Sequence, residues 1–331
     1  MPPTVNIPGW IWAPTLALYA VLFTVDLLVV GRRPHIPSTA ECLRWLGLYI
    51  GIGIAFGIAL WTFAGHEHGV EFFAGWITEY SLSVDNLFVF LLIMARFYVP
   101  RELQQSVLMW GILIALVLRA VFIALGAAVI ARYSWVFYVF GAFLIYTAIK
   151  LASTGETDDD EYRENALVRW VSRVLPTTPD FHGNALRAVV DGRRLWTPML
   201  VVLISLGTTD LLFALDSIPA IFGLTDEPYI VFAANVFALL GLRQLYFLLG
   251  DLLNRLVFLS IGLAVMLGFI GVKLVLEALH DNVVPFINGG EPVDVWVPSI
   301  AFSLIFIVVV LVVTTVASLL SVRRQSEAPS G

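Results

Sequence analysis

Charge is what this chain has least of. Only 13% of its 331 residues are Asp, Glu, Lys or Arg, about half the 25% usual in a soluble domain. Hydrophobic types supply 59%, and the mean hydropathy is +0.89. That composition does not fit a water-soluble enzyme. Cysteine is scarcer still. Cys42 stands alone, which excludes an internal disulfide, a Cys-rich zinc site and an iron–sulfur cluster. Basic residues are outnumbered, 19 against 25 acids for a net charge of −6, so the electrostatic footprint of a nucleic-acid binder is missing. The stretch from Met1 to Gly31 has no Lys or Arg. A secretory signal needs a basic segment before its apolar core. Here the bases Arg32 and Arg33 follow the apolar run, as expected for a retained first helix with its N-terminus outside.

What is present is apolar sequence in membrane-spanning lengths. A spanning helix takes about 20 such residues. The pattern predicts an all-α integral membrane protein with about nine spans, at residues 10–31, 43–64, 72–96, 104–130, 133–151, 197–222, 229–249, 256–279 and 296–320. The loops test the orientation through the positive-inside rule. Fifteen Lys and Arg residues fall after the odd-numbered spans, and only Arg132 and Lys273 fall on the other side. This places the C-terminus in the cytoplasm. A multi-pass protein of a bacterial-type inner membrane is expected. The opposite loops carry Glu67, Glu71, Asp226, Glu227, Asp281, Glu291 and Asp294. They are ordinary solvated loops or a vestibule that attracts cations. The segment 152–196, with its run Asp158–Glu161, reads as a cytoplasmic connector.

Spans three to five repeat in spans six to eight. Glu79, five residues, Asp85 and Asn86 in the first copy match Asp210, five residues, Asp216 and Ser217 in the second. Arg119 then matches Arg243, Gly126 matches Gly250, and Lys150 matches Lys273, in the same order and at near-equal spacing. Three spans per copy is an odd number, so the copies cross the membrane in opposite senses. Inverted repeats of this kind build many secondary transporters, with the substrate site near the midplane between them. The expected organisation is two peripheral helices in 1–71, a first inverted repeat in 72–151, the connector 152–196, a second repeat in 197–279, and an outer loop, ninth helix and cytoplasmic tail in 280–331.

Four carboxylates inside two spans need a partner, since an ionisable group in hydrocarbon costs roughly 2.5–3.5 kcal/mol on insertion scales. Two partners compete. Arg119 and Arg243 could pair with the acids and lock the bundle, or a bound cation could compensate them. The polar neighbours Ser81, Ser83, Asn86, Thr208, Thr209 and Ser217 are hard oxygen donors. They suit Mg²⁺, Ca²⁺ or Mn²⁺ better than Zn²⁺ or Cu⁺. The candidate metal ligands are Glu79, Asp85, Asn86, Asp210, Asp216 and Ser217. Residues six apart on a straight helix differ by about 600°, or 240° after one turn. The two acids of each helix therefore face different partners, or the helix is broken. Gly207 and Pro219 favour a break around Asp210–Asp216.

The stretches Ile77–Phe88 and Asp210–Phe222, with Leu240–Phe247 and Phe269–Lys273, resemble the TerC/Alx family of integral membrane proteins over most of residues 10–280. The resemblance implies manganese efflux and metal-ion homeostasis, with an older association with tellurite resistance. It makes Glu79, Asp85, Asp210 and Asp216 the transport acids. Asp26 also matches a common family acid, and it stands close enough to Arg32 and Arg33 in sequence to pair with them instead. Family members often carry Glu three residues before the first Asp of the second motif, where this chain has Gly207.

Two function classes follow. One is a secondary transporter exporting Mn²⁺ in exchange for protons, or a Ca²⁺/H⁺ antiporter, since oxygen donors do not separate those ions. The other is a membrane scaffold or assembly protein whose acids are structural. No nucleophile–base pair, phosphate loop or HExxH motif points to an enzyme. The expected partners are the metal-ion substrate and the bilayer, with no tightly bound cofactor and no nucleic acid.

Overall fold

The computed structural model describes residues 9–32, 37–130, 132–133, 135–154, 175–190, 192–249, 258–282, 284–285 and 287–327. Ten helices dominate them: α1 (Trp12–Arg32), α2 (Thr39–Phe63), α3 (His66–Arg96), α4 (Arg101–Ile130), α5 (Val136–Thr154), α6 (Pro198–Phe222), α7 (Pro228–Leu239), α8 (Leu242–Leu249), α9 (Leu259–His280) and α10 (Ile300–Glu327). Local chemistry starts several of them. Ser38 caps α2 by accepting the Glu41 backbone N–H at 3.2 Å, with Glu41 itself in the first turn. Prolines open α6 and α7, where the missing N–H would have had no helical partner.

Among the described residues, seven helical segments are long and apolar enough to cross a bilayer: α2, α4, α5, α6, the α7–α8 pair, α9 and α10. The protein is therefore a mostly helical, multi-pass integral membrane protein. Nine intervals were expected. The two outside these seven, α1 and α3, each contain positions whose side chains lie outside the described residues, and α1 is 21 residues long. Helix α3 carries Glu79, Asp85 and Asn86 in its middle. At about 1.5 Å per residue its 31 residues still exceed the hydrocarbon thickness.

Two expectations about helix continuity are corrected. The interval 229–249 is not one helix, because the chain breaks at Leu240–Gly241, where Gly241 has φ +91°. Only glycine takes that conformation without strain. Conversely, α6 runs unbroken past Gly207, Asp210, Asp216 and Pro219. Pro219 lies in its last turns, and the turn closes beyond it when the Gly223 N–H donates to the Pro219 carbonyl at 2.9 Å. Gly207 serves close packing instead. A Cβ there would stand 2.8 Å from Cγ2 of Ile114 on α4.

The expected connector is only partly described. Its acidic run and the stretch to Arg173 lie outside the described residues. Its last part is an antiparallel hairpin, β1 (Arg187–Val190) and β2 (Arg193–Trp196), with Arg187 opposite Trp196 and Val190 opposite Arg193. The all-α expectation missed it. Its two-residue Asp191-Gly192 connection is the strongest short-range hairpin signal a sequence carries. The Asn184 amide donates to Ser106 of α4 at 3.1 Å, which ties this segment to the bundle.

The α7–α8 pair sits at the centre, with 89% of its apolar window buried against 11% for α10. It packs on α3 and α4, while α6 packs on α4 and α5 packs most extensively on α9. One large apolar cluster joins Leu87, Phe90 and Ile93 of α3 to Leu108 and Ile112 of α4, Leu206 of α6, and Leu242 and Leu245 of α8. The polar residues described next lie in the interior that these helices enclose.

Candidate cation site

Arg119 organises the site. It lies on α4 with 1% exposure, and an unpaired guanidinium there would be costly. Its Nε donates to Asp210 Oδ2 at 2.9 Å and its Nη2 to Asp210 Oδ1 at 3.0 Å. This is the parallel two-bond geometry that gives arginine–carboxylate pairs their direction. Nη1 donates to Asn235 Oδ1 of α7 at 2.9 Å and to Ser217 Oγ of α6 at 3.4 Å. Nη1 is also ion-paired with Glu79 Oε1 of α3. One cation is thus held by oxygens from α3, α6 and α7.

The surrounding chain fixes these oxygens. The Asn235 amide donates to the Val231 carbonyl at 3.0 Å, which turns Oδ1 toward Arg119. Ser217 follows Asp210 by seven residues, two helical turns, so both share one face of α6. Glu79 is fully buried, and its Oε2 has no hydrogen-bond partner. Two carboxylates face one guanidinium here. A buried carboxylate oxygen without a donor calls for a water or an ion.

Of the six predicted ligands, the structure brings Glu79, Asp210 and Ser217 together. Asp216 points elsewhere, accepting from Thr147 Oγ1 of α5 at 3.3 Å. The 240° offset from Asp210 is the cause, since the helix stays unbroken. Asn86 is buried on α3, two turns beyond Glu79. Asp85 lies on α3, with its side chain outside the described set. Among the described residues, no group of three or more His, Cys, Asp or Glu is close enough to hold a metal. Sequence reasoning missed Asn235. The signal was there: it is the one amide in the apolar helix Pro228–Leu239, and polar groups in such segments mark function.

Arg243, the counterpart of Arg119, does not join these acids. Its Nη2 pairs with Asp26 Oδ1 of α1 at 2.5 Å, and the Tyr49 hydroxyl of α2 donates to the same oxygen at 2.8 Å. The expected alternatives for Asp26, Arg32 and Arg33, have side chains outside the described residues.

A third polar group holds the turn between α6 and α7. Lys273 of α9, buried at 4% exposure, donates to the Gly223 carbonyl at 2.5 Å and pairs with Glu277 at 3.3 Å. From the other side, Glu71 of α3 accepts from the Thr225 hydroxyl at 2.9 Å and lies 3.0 Å from His68 Nδ1. Asp226 sits in this turn. Partial loss of water, then the carboxylates Glu277, Glu71 and Asp281, push its pKa up to about 6 against the pull of Lys273.

Comparison with known proteins agrees with this picture of a multi-pass membrane chain. The family described as "Integral membrane protein TerC family" matches over residues 64–326. An uncharacterized membrane protein of Mycobacterium tuberculosis is 49% identical over 322 residues, 96% of this chain and 81% of its own length. An uncharacterized membrane protein of Myxococcus xanthus is 43% identical over 272 residues, 82% and 85% of the two chains. A protein of Escherichia coli K12, named "Putative membrane-bound redox modulator Alx", is 37% identical over 275 residues, 80% and 85% of the two chains. No solved structure matches.

Proposed function

The chain belongs to the TerC family of integral membrane proteins, and from that premise we propose that it is a secondary transporter exporting a divalent cation, Mn²⁺ before Ca²⁺. One observation carries the reading. A guanidinium is seated among Glu79, Asp210, Ser217 and Asn235, so the interior already holds a cation on hard oxygens. Two carboxylates against one positive charge leave a negative charge for which a divalent ion is the better match. Arg119 then acts as a tethered substitute that occupies the acids until the ion displaces it. The oxygen-only donor set suits Mn²⁺ or Ca²⁺ as cargo. Asn86 and Asp216 line the remainder of the route, with Asp85 next to Asn86 in the sequence.

The proposal includes nine crossings, the N-terminus outside and the C-terminus in the cytoplasm of a bacterial-type inner membrane, and inverted repeats formed by α3–α5 and α6–α9. Helix packing supports the repeat. The sequence match pairs Ala148 with Gly271, which places Ile145 opposite position 268. A Cβ at Gly271 would meet Ile145 Cγ1 at 2.9 Å, and one at Gly268 would meet Ala148 at 3.6 Å. Those two contacts exchange under the repeat, as expected when α5 and α9 flank a two-fold axis.

A second reading has the same arginine in its favour. If the Arg119 pair only locks the bundle, the protein is a scaffold and binds no ion. The redox role in the name of the Escherichia coli relative finds no thiol pair here, because Cys42 is the only cysteine. The deciding experiment is flux in reconstituted vesicles with Mn²⁺, Ca²⁺ and Mg²⁺ in parallel. Wild type should move Mn²⁺, and Glu79→Gln and Asp210→Asn should each abolish it while still inserting. Faster Ca²⁺ than Mn²⁺ movement would make it a calcium exchanger. Movement of none of the three, or full activity in Glu79→Gln, would leave the scaffold.

A further inference from the structure

The second intramembrane arginine pair is built differently from the first. Asp210 is gripped on both oxygens and is 1% exposed. Among the described residues, Asp26 takes its bonds from Arg243 and Tyr49 on Oδ1, and its side chain keeps 14% exposure. Small cavities flank Arg243 on two sides. One is bounded by Phe23, Asp26, Met109 and Gly241, the other by Glu41, Cys42, Trp45 and Gln105. Two orphaned polar atoms stand on residues lining the second, Arg243 Nη1 and Gln105 Oε1, both buried without a hydrogen-bond partner. A donor and an acceptor left open beside one cavity are both satisfied by a bridging water. The second cavity is lined by Pro37 and Glu41, at the end of α2 that the charge count places toward the cytoplasm. The second cavity thus connects residues at that face, Pro37 and Glu41, with Arg243, the partner of Asp26.

We propose that Asp26 is the proton-binding site of the exchanger, separate from the cation site at Glu79 and Asp210. This rests on the transport reading. The proton adds to Oδ2, the oxygen that neither bond uses, and converts the carboxylate to a neutral carboxyl. Arg243 keeps its own proton, as guanidinium does throughout the accessible pH range. It loses its counter-charge, which a cation inside the bilayer cannot tolerate. Glu41 lines the same second cavity as Arg243, and the guanidinium shifts away from Asp26 toward that cavity. The break at Leu240–Gly241, with its φ of +91°, lies two residues before Arg243 and provides the hinge. Helix α8 also carries Leu242 and Leu245, which share one apolar cluster with Leu87 and Phe90 of α3, just beyond Asp85 and Asn86. A turn of α8 thereby reaches the helix that holds the cation ligands. Among the described residues, the groups around Asp26 are Arg243 from α8 and Tyr49 from α2, with Glu41 and Cys42 lining the second cavity beside Arg243. Helix α4 contributes Met109 and Ile112 to the cavity wall, which do not titrate.

The test uses the full chain in liposomes, with Mn²⁺ flux and internal pH followed together under an imposed pH gradient, and Mn²⁺-dependent thermal stability measured in detergent. Wild type should move protons against Mn²⁺. Asp26→Asn should lose the proton movement and the gradient-driven Mn²⁺ flux, while Mn²⁺ still raises its Tm. Tyr49→Phe keeps the ion pair and removes one donor to the carboxylate. Losing a hydrogen bond to the carboxylate should move the midpoint of the flux–pH profile. Proton movement surviving in Asp26→Asn, or loss of its Mn²⁺ response in Tm, would overturn the proposal. So would an unmoved midpoint in Tyr49→Phe, which also decides the matter if Asp26→Asn fails to fold. Wild-type Mn²⁺ flux without proton movement would remove the coupling and leave the transport reading standing. No divalent flux at all would remove that reading itself.

Discussion

Arg119 and Asp210 meet through two parallel hydrogen bonds of 2.9 and 3.0 Å, both side chains almost fully buried. Arg243, which the proposed repeat matches to Arg119, goes instead to Asp26 on another helix. The two arginines therefore make different pairs, and this asymmetry can be tested residue by residue.

The Arg119 cluster should show an order of losses. Arg119→Met leaves Glu79 and Asp210 buried without a cation, and breaking such a pair costs about 3–5 kcal/mol. Asp210→Asn should cost less, because Glu79 remains to neutralise the guanidinium. Unfolding in detergent would measure both. Equal losses would mean that Glu79 contributes nothing to holding Arg119.

Gly207 should resist restoration of the family's glutamate. The first carbon of any side chain there meets Ile114 Cγ2 at 2.8 Å. Gly207→Glu alone should destabilise by about 1–3 kcal/mol, as overpacking does. Ile114→Ala in the same chain should recover most of that loss, since the two positions share one space. The comparison of Tm values for the two single variants and the double decides it, and strict additivity would refute the packing argument.

Asp226 should make stability depend on pH. Its folded pKa is raised from 3.8 to about 6, so the folded state holds this proton more tightly than the unfolded chain. The resulting stabilisation is full below pH 3.8 and is lost as pH rises through about 6. Asp226→Asn should flatten the fall of Tm between pH 4 and pH 7. An unchanged slope would assign the pH dependence to other groups.

Orientation is open to a direct check. Ser153 ends α5, its hydroxyl donating to the Lys150 carbonyl at 2.9 Å. With Cys42→Ser as background, a cysteine at Ser153 should be shielded from an impermeant thiol reagent in intact cells and react in inside-out vesicles. The reverse pattern would invert the proposed topology.

Helix positions were legible in the sequence because hydropathy is a local property. A run of apolar residues declares its environment wherever it is placed, so the multi-pass class and most of the helix intervals could be read without coordinates. The acidic motifs were legible for the same reason, as a carboxylate in hydrocarbon is costly in any fold. The break before Arg243 was misplaced into α6. Gly207 and Pro219 both signal a break, yet Gly207 serves contact with Ile114 and Pro219 falls where the helix is already ending. The hairpin also carried a local signal, the Asp-Gly pair between Val190 and Arg193 in the sequence.

Which acid meets which arginine was decided by tertiary structure alone. Glu79, Asp210, Ser217 and Asn235 are separated by up to 156 residues and converge because α3, α6 and α7 each turn one face toward α4. That rotation depends on how neighbouring helices interlock, as at Ile114 against Gly207. No pattern within a single helix records it. By sequence alone, Arg243 and Arg119 are equivalent, and Asp26 has Arg32 and Arg33 as nearer partners. Packing placed Asp26 beside Arg243 and Tyr49, because a pair buried in the bilayer is set by which helices touch, and separation along the chain has no part in it.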